Sequence, residues 1–292
     1  MRKCLKQTFF LDIMLCLLLI SFYCVSIQTC FGRVAIALSS THDRDPDERS
    51  AQAEVISHML NLAGNTSYLG FCYTTFNFYN NASRTNIYSA AGACGYPGGI
   101  VFYVGHGYTD DLALQWCITD NSGERIWDNE IFPHSICKNV FFTFLWSCHQ
   151  GEVIGGSHLW GTPYGMPYAW RHSNAMSENG YTNPVGDGLF IGFSGISPCL
   201  TCSLDGVPQA GKHFAENFYT YGFQDDYTVR MALDSAACST FVGSASSFAD
   251  CILYTGYYDM GRMVVYGCSI LKLHDYGIVA GDGGGVGDPI EY

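Results

Sequence analysis

His106 and Cys148 stand in the same setting forty-two positions apart. The first closes the run Gly-Gly-Ile-Val-Phe-Tyr-Val-Gly-His-Gly, residues 98–107. The second lies in Asn-Val-Phe-Phe-Thr-Phe-Leu-Trp-Ser-Cys-His-Gln-Gly-Glu, residues 139–152. A thiolate is a strong nucleophile, and an imidazole moves protons near neutral pH. Glycine at 107 lets a substrate approach the chain closely. The N–H groups of Gly107 and Cys148 are therefore candidates for an oxyanion hole. Singly, His106 reads as a strand cap and Cys148 as a buried thiol. Together the two units read as catalysis.

Both residues follow continuous apolar runs rich in Val, Ile and Phe. Such runs are strands buried on both faces, so His106 and Cys148 belong at the carboxyl edge of a parallel sheet. Open α/β sheets bind ligands at that edge. Further strands are expected at Arg33–Ser39, Tyr68–Tyr73, Gly188–Phe193 and Arg262–Tyr266, with Leu112–Ile118 as a hairpin arm and Ser269–Leu273 as an edge strand. Asp45-Pro46-Asp47-Glu48 opens a helix. Asp45 caps it, Pro46 takes the first position and Glu48 completes a capping box. Val55, Ile56, Met59, Leu60 and Ala63 form its buried stripe, and Gly64-Asn65 stops it. Helical patterns follow at Asn86–Ala93, Asp128–Phe132, Met166–Met176, Gly211–Gly222 and Asp226–Ala237. Alternation of strands and helices predicts a three-layer α/β/α sandwich around a mainly parallel sheet of about six strands.

An apolar strand ending in His-Gly, followed about forty residues later by one ending in Ala/Ser-Cys, resembles the caspase–legumain–gingipain clan of cysteine peptidases. The specific likeness is confined to Tyr103–Gly107 and Leu145–Cys148. It implies a caspase-hemoglobinase-like fold, a Cys148–His106 dyad without a tight resting ion pair, and a protein or peptide substrate. The sequence departs from the caspase pattern at Cys148-His149-Gln150-Gly151, where that pattern has Arg-Gly after the cysteine. Trp146 stands where legumain-like enzymes carry an acidic residue.

In this clan the specificity pocket is built by loops beside the nucleophile strand. The candidates here are Asp43 and Arg44 after the first strand, and Asp187, Ser194 and Asp205 around the strand at 188–193. A pocket carboxylate selects Arg or Lys, whereas a pocket Arg44 selects Asp or Glu. Acids outnumber bases in this set, which leans toward a basic residue before the scissile bond.

A formal net charge of −12 argues against a nucleic-acid partner, since phosphate binding needs clustered Lys and Arg. Arg2, Lys3 and Lys6 precede an apolar run over residues 9–27, broken by residues such as Asp12 and Ser21. This reads as a signal peptide or a signal anchor attaching the chain to a membrane. The chain divides into a leader (1–31), one peptidase domain (32–276) and a Gly-rich tail (277–292). Of 14 cysteines, Cys4, Cys16 and Cys24 fall in the leader up to residue 29, and setting Cys148 aside leaves ten, Cys30 among them. An even count suits disulfides in an exported protein. Asn65-Thr66-Ser67 and Asn81-Ala82-Ser83 are glycosylation sequons.

Cys199-Leu200-Thr201-Cys202 sits too late in the chain for a thioredoxin-like motif and reads as a disulfide. His149, His158 and His172 show no paired zinc-ligand spacing to complement Cys199 and Cys202, so no metal and no cofactor is expected. The competing class is a secreted binding protein on a catalytically inactive peptidase scaffold.

Overall fold

The computed structural model describes residues 31–68, 71–93, 98–110, 115–135, 140–152, 165–171, 189–225, 227–251, 261–267 and 271–273. The leader up to residue 30, the Gly-rich tail and Asp187 lie outside these residues, and Phe31 opens the first strand.

The first strand, β1 (Phe31–Ser39), leads into α1 (Pro46–Asn65). A hairpin of β2 (Ser67–Tyr68) and β3 (Phe71–Tyr79) follows, then α2 (Arg84–Gly92) and β4 (Gly99–Val104). Three short strands come next: β5 (Gly107–Asp110), β6 (Gln115–Thr119) and β7 (Arg125–Trp127). The chain continues through α3 (Asp128–Ser135), β8 (Val140–Trp146), α4 (Met166–Arg171) and β9 (Leu189–Ser194). It closes with α5 (Ala210–Gln224), α6 (Val229–Thr240) and β10 (Arg262–Gly267).

The main sheet has the order β10-β9-β8-β4-β1-β3-β2. Its centre is parallel, with β1 on β4, β4 on β8 and β8 on β9. The antiparallel pairs are at its margins, β10 on β9 and β2 on β3. This is the expected mainly parallel sheet, with the two-residue β2 as an added edge. Strands β5, β6 and β7 form a separate antiparallel sheet, which the sequence announced only through the Leu112–Ile118 arm.

Alternation along each strand sends side chains to two cores. From β1, Ala35 and Ala37 face one layer, with Val55, Ile56 and Met59 of α1, Phe214 and Phe218 of α5, and Leu233 of α6. Val34, Ile36 and Leu38 face the other, with Ile87 of α2, Ile131 of α3, Trp170 of α4 and Trp116 of β6. The alternation breaks once, at a register shift between Gly99 and Ile100 opposite Val140 and Phe142. The extra residue, Phe141, joins Phe142 in the first core, as a bulge requires.

Helix α1 starts as its residues dictate: Asp45 accepts from the Glu48 N–H at 2.8 Å, with Pro46 in the first turn. The capping box does not close through Glu48. Its carboxylate is buried and accepts instead from the Leu200 and Thr201 N–H groups, each at 3.1 Å, and from Thr201 Oγ1 at 2.9 Å. A buried carboxylate needs several donors, and the loop after β9 supplies more than its own helix start could. Leu60 is only partly buried, and Leu62 takes its place in the stripe.

Candidate active site

The register Val104↔Trp146 aligns the ends of β4 and β8. His106 and Cys148 each lie two residues beyond that pair, so the two strands deliver them to the same sheet edge. Tyr103 anchors the His106 side. Its buried hydroxyl donates to the Thr119 carbonyl at 2.7 Å and lies 3.2 Å from the His106 carbonyl. The Thr119 N–H donates to that same His106 carbonyl at 3.1 Å. This bond makes Gly107 and Ile118 a non-hydrogen-bonded pair in the β5–β6 ladder, which leaves the Gly107 N–H outside the ladder.

The His106 ring bonds the backbone of His42, and its Nε2 is buried without a hydrogen-bond partner among the described residues. That unpartnered Nε2 is open to a reacting group. Burial first, and then the Arg44 guanidinium, pull His106 below the usual histidine range; Asp43 and the His42 backbone oppose them only in part. The imidazole is thus neutral at neutral pH.

The nucleophile turn is held from several sides. Gln150 is buried, and its Nε2 donates to the Cys148 carbonyl at 2.6 Å and to the Cys117 carbonyl at 3.1 Å. His149 adopts φ 62° and donates its N–H to the Gly195 carbonyl at 2.6 Å. Glu152 then gathers three partners: His149 Nδ1 at 2.6 Å, the Gly195 N–H at 2.8 Å and Trp116 Nε1 at 3.0 Å. Burial disfavours the Glu152 carboxylate, but the bonds from His149 and Trp116 outweigh it and hold the group below the usual range. Facing this turn, Ser197 Oγ lies 3.5 Å from Cys148 Sγ.

Trp146 ties β8 to the loop after β9, its Nε1 donating to the Pro198 carbonyl at 2.7 Å. Cys199 and Cys202 form a disulfide within that loop, so these sulfurs are not zinc ligands. His158 and His172 lie outside the described residues. Among the described residues there is no cluster of three or more metal-binding groups. Cys72 is disulfide-bonded, whereas Cys117 and Cys238 are thiols.

The pocket candidates are unequal. Arg44 Nη2 donates to the Gly105 carbonyl at 3.0 Å, one residue before His106. Asp43 has φ 53° and points to solvent, where it meets His42 Nε2 at 3.1 Å. Ser194 ends β9 beside Gly195, which receives the His149 N–H. Asp205 is exposed in the turn closed by Leu204 and Val207, and no described contact joins it to His106 or Cys148. Sequence patterning does not single out Gln150, Glu152 or Ser197. The compact Cys-His-Gln-Gly-Glu turn is a signal that could have found the first two. No local signal marks Ser197.

No protein-family model and no curated protein matches this chain. Among solved structures it is similar to the initiator caspase Dronc of Drosophila, at 8% identity and a TM-score of 0.41, covering 84% of this chain and 82% of that one. It is also similar to caspase-1 from Spodoptera frugiperda, at 12% identity and a TM-score of 0.39, covering 82% of this chain and 87% of that one. At these values the likeness carries nothing about activity.

Proposed function

We propose that the chain is a cysteine endopeptidase, exported from the cytoplasm and either secreted or held at a membrane by its leader. The observation that carries this reading is the alignment of β4 and β8, which brings a neutral, half-buried imidazole and a cysteine to one sheet edge. Cys148 Sγ attacks the carbonyl carbon of the scissile bond, and the thiol proton passes to His106 Nε2. The oxyanion is met by the Gly107 and Cys148 N–H groups; one such donor is worth on the order of a hundredfold in rate. His106 then gives its proton to the leaving nitrogen, the C–N bond breaks and a thioester remains. Water, deprotonated by His106, attacks the thioester carbonyl; the C–S bond breaks, the carboxyl product leaves and His106 returns the proton to Cys148 Sγ.

For the residue before the scissile bond, the acid-rich candidate set Asp43, Asp187 and Asp205 supports Arg or Lys. Arg44 supports the opposite choice, Asp or Glu, because its guanidinium reaches Gly105 beside His106 while Asp43 faces solvent. A fluorogenic peptide library varied at this position tests both. Cleavage lost in Cys148→Ala supports the peptidase reading. Wild-type turnover in Cys148→Ala contradicts it, and no cleavage by wild type at any member favours an inactive binding scaffold. Fractionation of expressing cells tests export, and full-length protein free in the cytosol contradicts it.

A further inference from the structure

We infer that Ser197 is a further catalytic residue, whose hydroxyl donates a hydrogen bond to Cys148 Sγ and stabilises the sulfur as it becomes negative. The inference rests on the proposed role of Cys148 as nucleophile. The two atoms lie 3.5 Å apart, an ordinary separation for a hydroxyl and a sulfur, whose radius exceeds that of oxygen. A thiol and a hydroxyl can each donate, but a thiolate only accepts, so the hydroxyl is the donor once the sulfur has lost its proton. Hydrogen bonds to ionised acceptors are about twice as strong as neutral ones.

The need for such a donor follows from His106. Burial and Arg44 keep that imidazole neutral, so no resting imidazolium balances a thiolate. A hydroxyl supplies polarity without a counter-charge and keeps its own proton throughout. When Sγ forms its bond to carbon, the negative charge leaves sulfur and the hydrogen bond weakens. No proton is transferred to or from Ser197.

Its placement is fixed from both sides. The Gly261 N–H donates to the Ile196 carbonyl at 2.6 Å, and Trp146 Nε1 donates to the Pro198 carbonyl at 2.7 Å. Beyond Pro198, the Glu48 carboxylate binds the Leu200 and Thr201 amides, and the Cys199–Cys202 disulfide closes the turn. Ser197 itself is only 9% exposed. A donor whose neighbours are tied in place loses little freedom when it acts, which is what preorganisation requires.

The test is the pH dependence of Cys148 alkylation by iodoacetamide in the full-length protein, with the adduct on Cys148 quantified by peptide mass spectrometry. Ser197→Ala is expected to move the midpoint upward by about one pH unit and to slow alkylation at neutral pH about three- to tenfold. Ser197→Thr retains the hydroxyl and is expected to stay near the wild-type midpoint. A merely structural serine would not move the midpoint while the fold, read by circular dichroism, is intact. An unchanged midpoint in Ser197→Ala overturns the inference, as does an equal shift in Ser197→Thr. Alkylation needs no turnover. A shifted midpoint in a protein that cleaves no peptide therefore supports the hydroxyl–sulfur contact and removes the peptidase reading alone.

Discussion

The α-carbon of Gly107 lies against the carbonyl oxygen of Cys148, so close that a methyl group there would overlap it. The same methyl would also meet Ser147 Oγ and come within 2.5 Å of Gln150 Nε2. These are backbone and buried side-chain atoms that cannot easily give way. Gly107→Ala must therefore displace the nucleophile turn, at about 1–3 kcal/mol. The expected result is a folded protein with a lowered Tm and at least a hundredfold loss of kcat. Near-normal kcat in a Gly107→Ala preparation of intact fold would show that the two strand ends are not coupled as described.

Glu152 gives a second prediction. Glu152→Ala strips the partner from Trp116 Nε1 and the Gly195 N–H, and leaving a buried donor unpaired costs about 1–3 kcal/mol. Denaturant unfolding should register that loss, and kcat should fall more than KM changes, because Glu152 acts through the turn that positions Cys148. The folded carboxylate is held below its ordinary range, so its contribution is present above the unfolded value near 4.5 and is lost as pH falls through the lower folded value. Glu152→Gln should flatten that acid limb of the stability profile. A limb identical to wild type would place the titrating group elsewhere.

His106 sets a third expectation. Its neutral form is the working base, and its folded pKa lies below the ordinary 6.5. The rate kcat/KM should therefore persist below pH 6.5 and fall only as pH passes through the depressed value. The unfolded chain binds the proton first, so stability contributed by the neutral ring also declines as pH drops below 6.5. Arg44→Met removes the second cause of the depression while burial remains. The acid limb of a pH–rate profile should then move upward toward 6.5; an unmoved limb would mean that Arg44 does not act on His106.

Asp128 behaves oppositely. Burial pushes its carboxyl up to about 6, although the Gly165 and Asn129 N–H groups donate to it at 2.8 Å each. The folded state thus binds its proton more tightly than the unfolded chain. Stability from this group is greatest below its unfolded value near 3.8 and declines as pH rises toward 6. Asp128→Asn should remove that decline in thermal unfolding measured between pH 4 and 7.

The strands that carry His106 and Cys148 are legible because a doubly buried parallel strand leaves a nearly continuous apolar run, as in Val140–Trp146, where only Thr143 is polar. Asp45 and Pro46 are legible because capping is decided within one helical turn. The same local rule fails for Glu48, since its partners at Leu200 and Thr201 lie more than 150 positions away. Ser197 is hidden for the same reason: nothing beside it in the chain says that Cys148 will be its neighbour. The antiparallel direction of β10 is equally invisible, because a short apolar run such as Met263–Tyr266 fits either orientation.

The most direct measurement is to locate the adduct formed by a peptidyl alkylating probe on the full-length protein. The account predicts one saturable adduct, on Cys148, slowed strongly by His106→Ala. Cys117 should remain unmodified in the folded protein, because burial pushes its thiol up to about 12. An adduct on Cys238 in place of Cys148, or peptide cleavage that survives Cys148→Ala, would contradict the account.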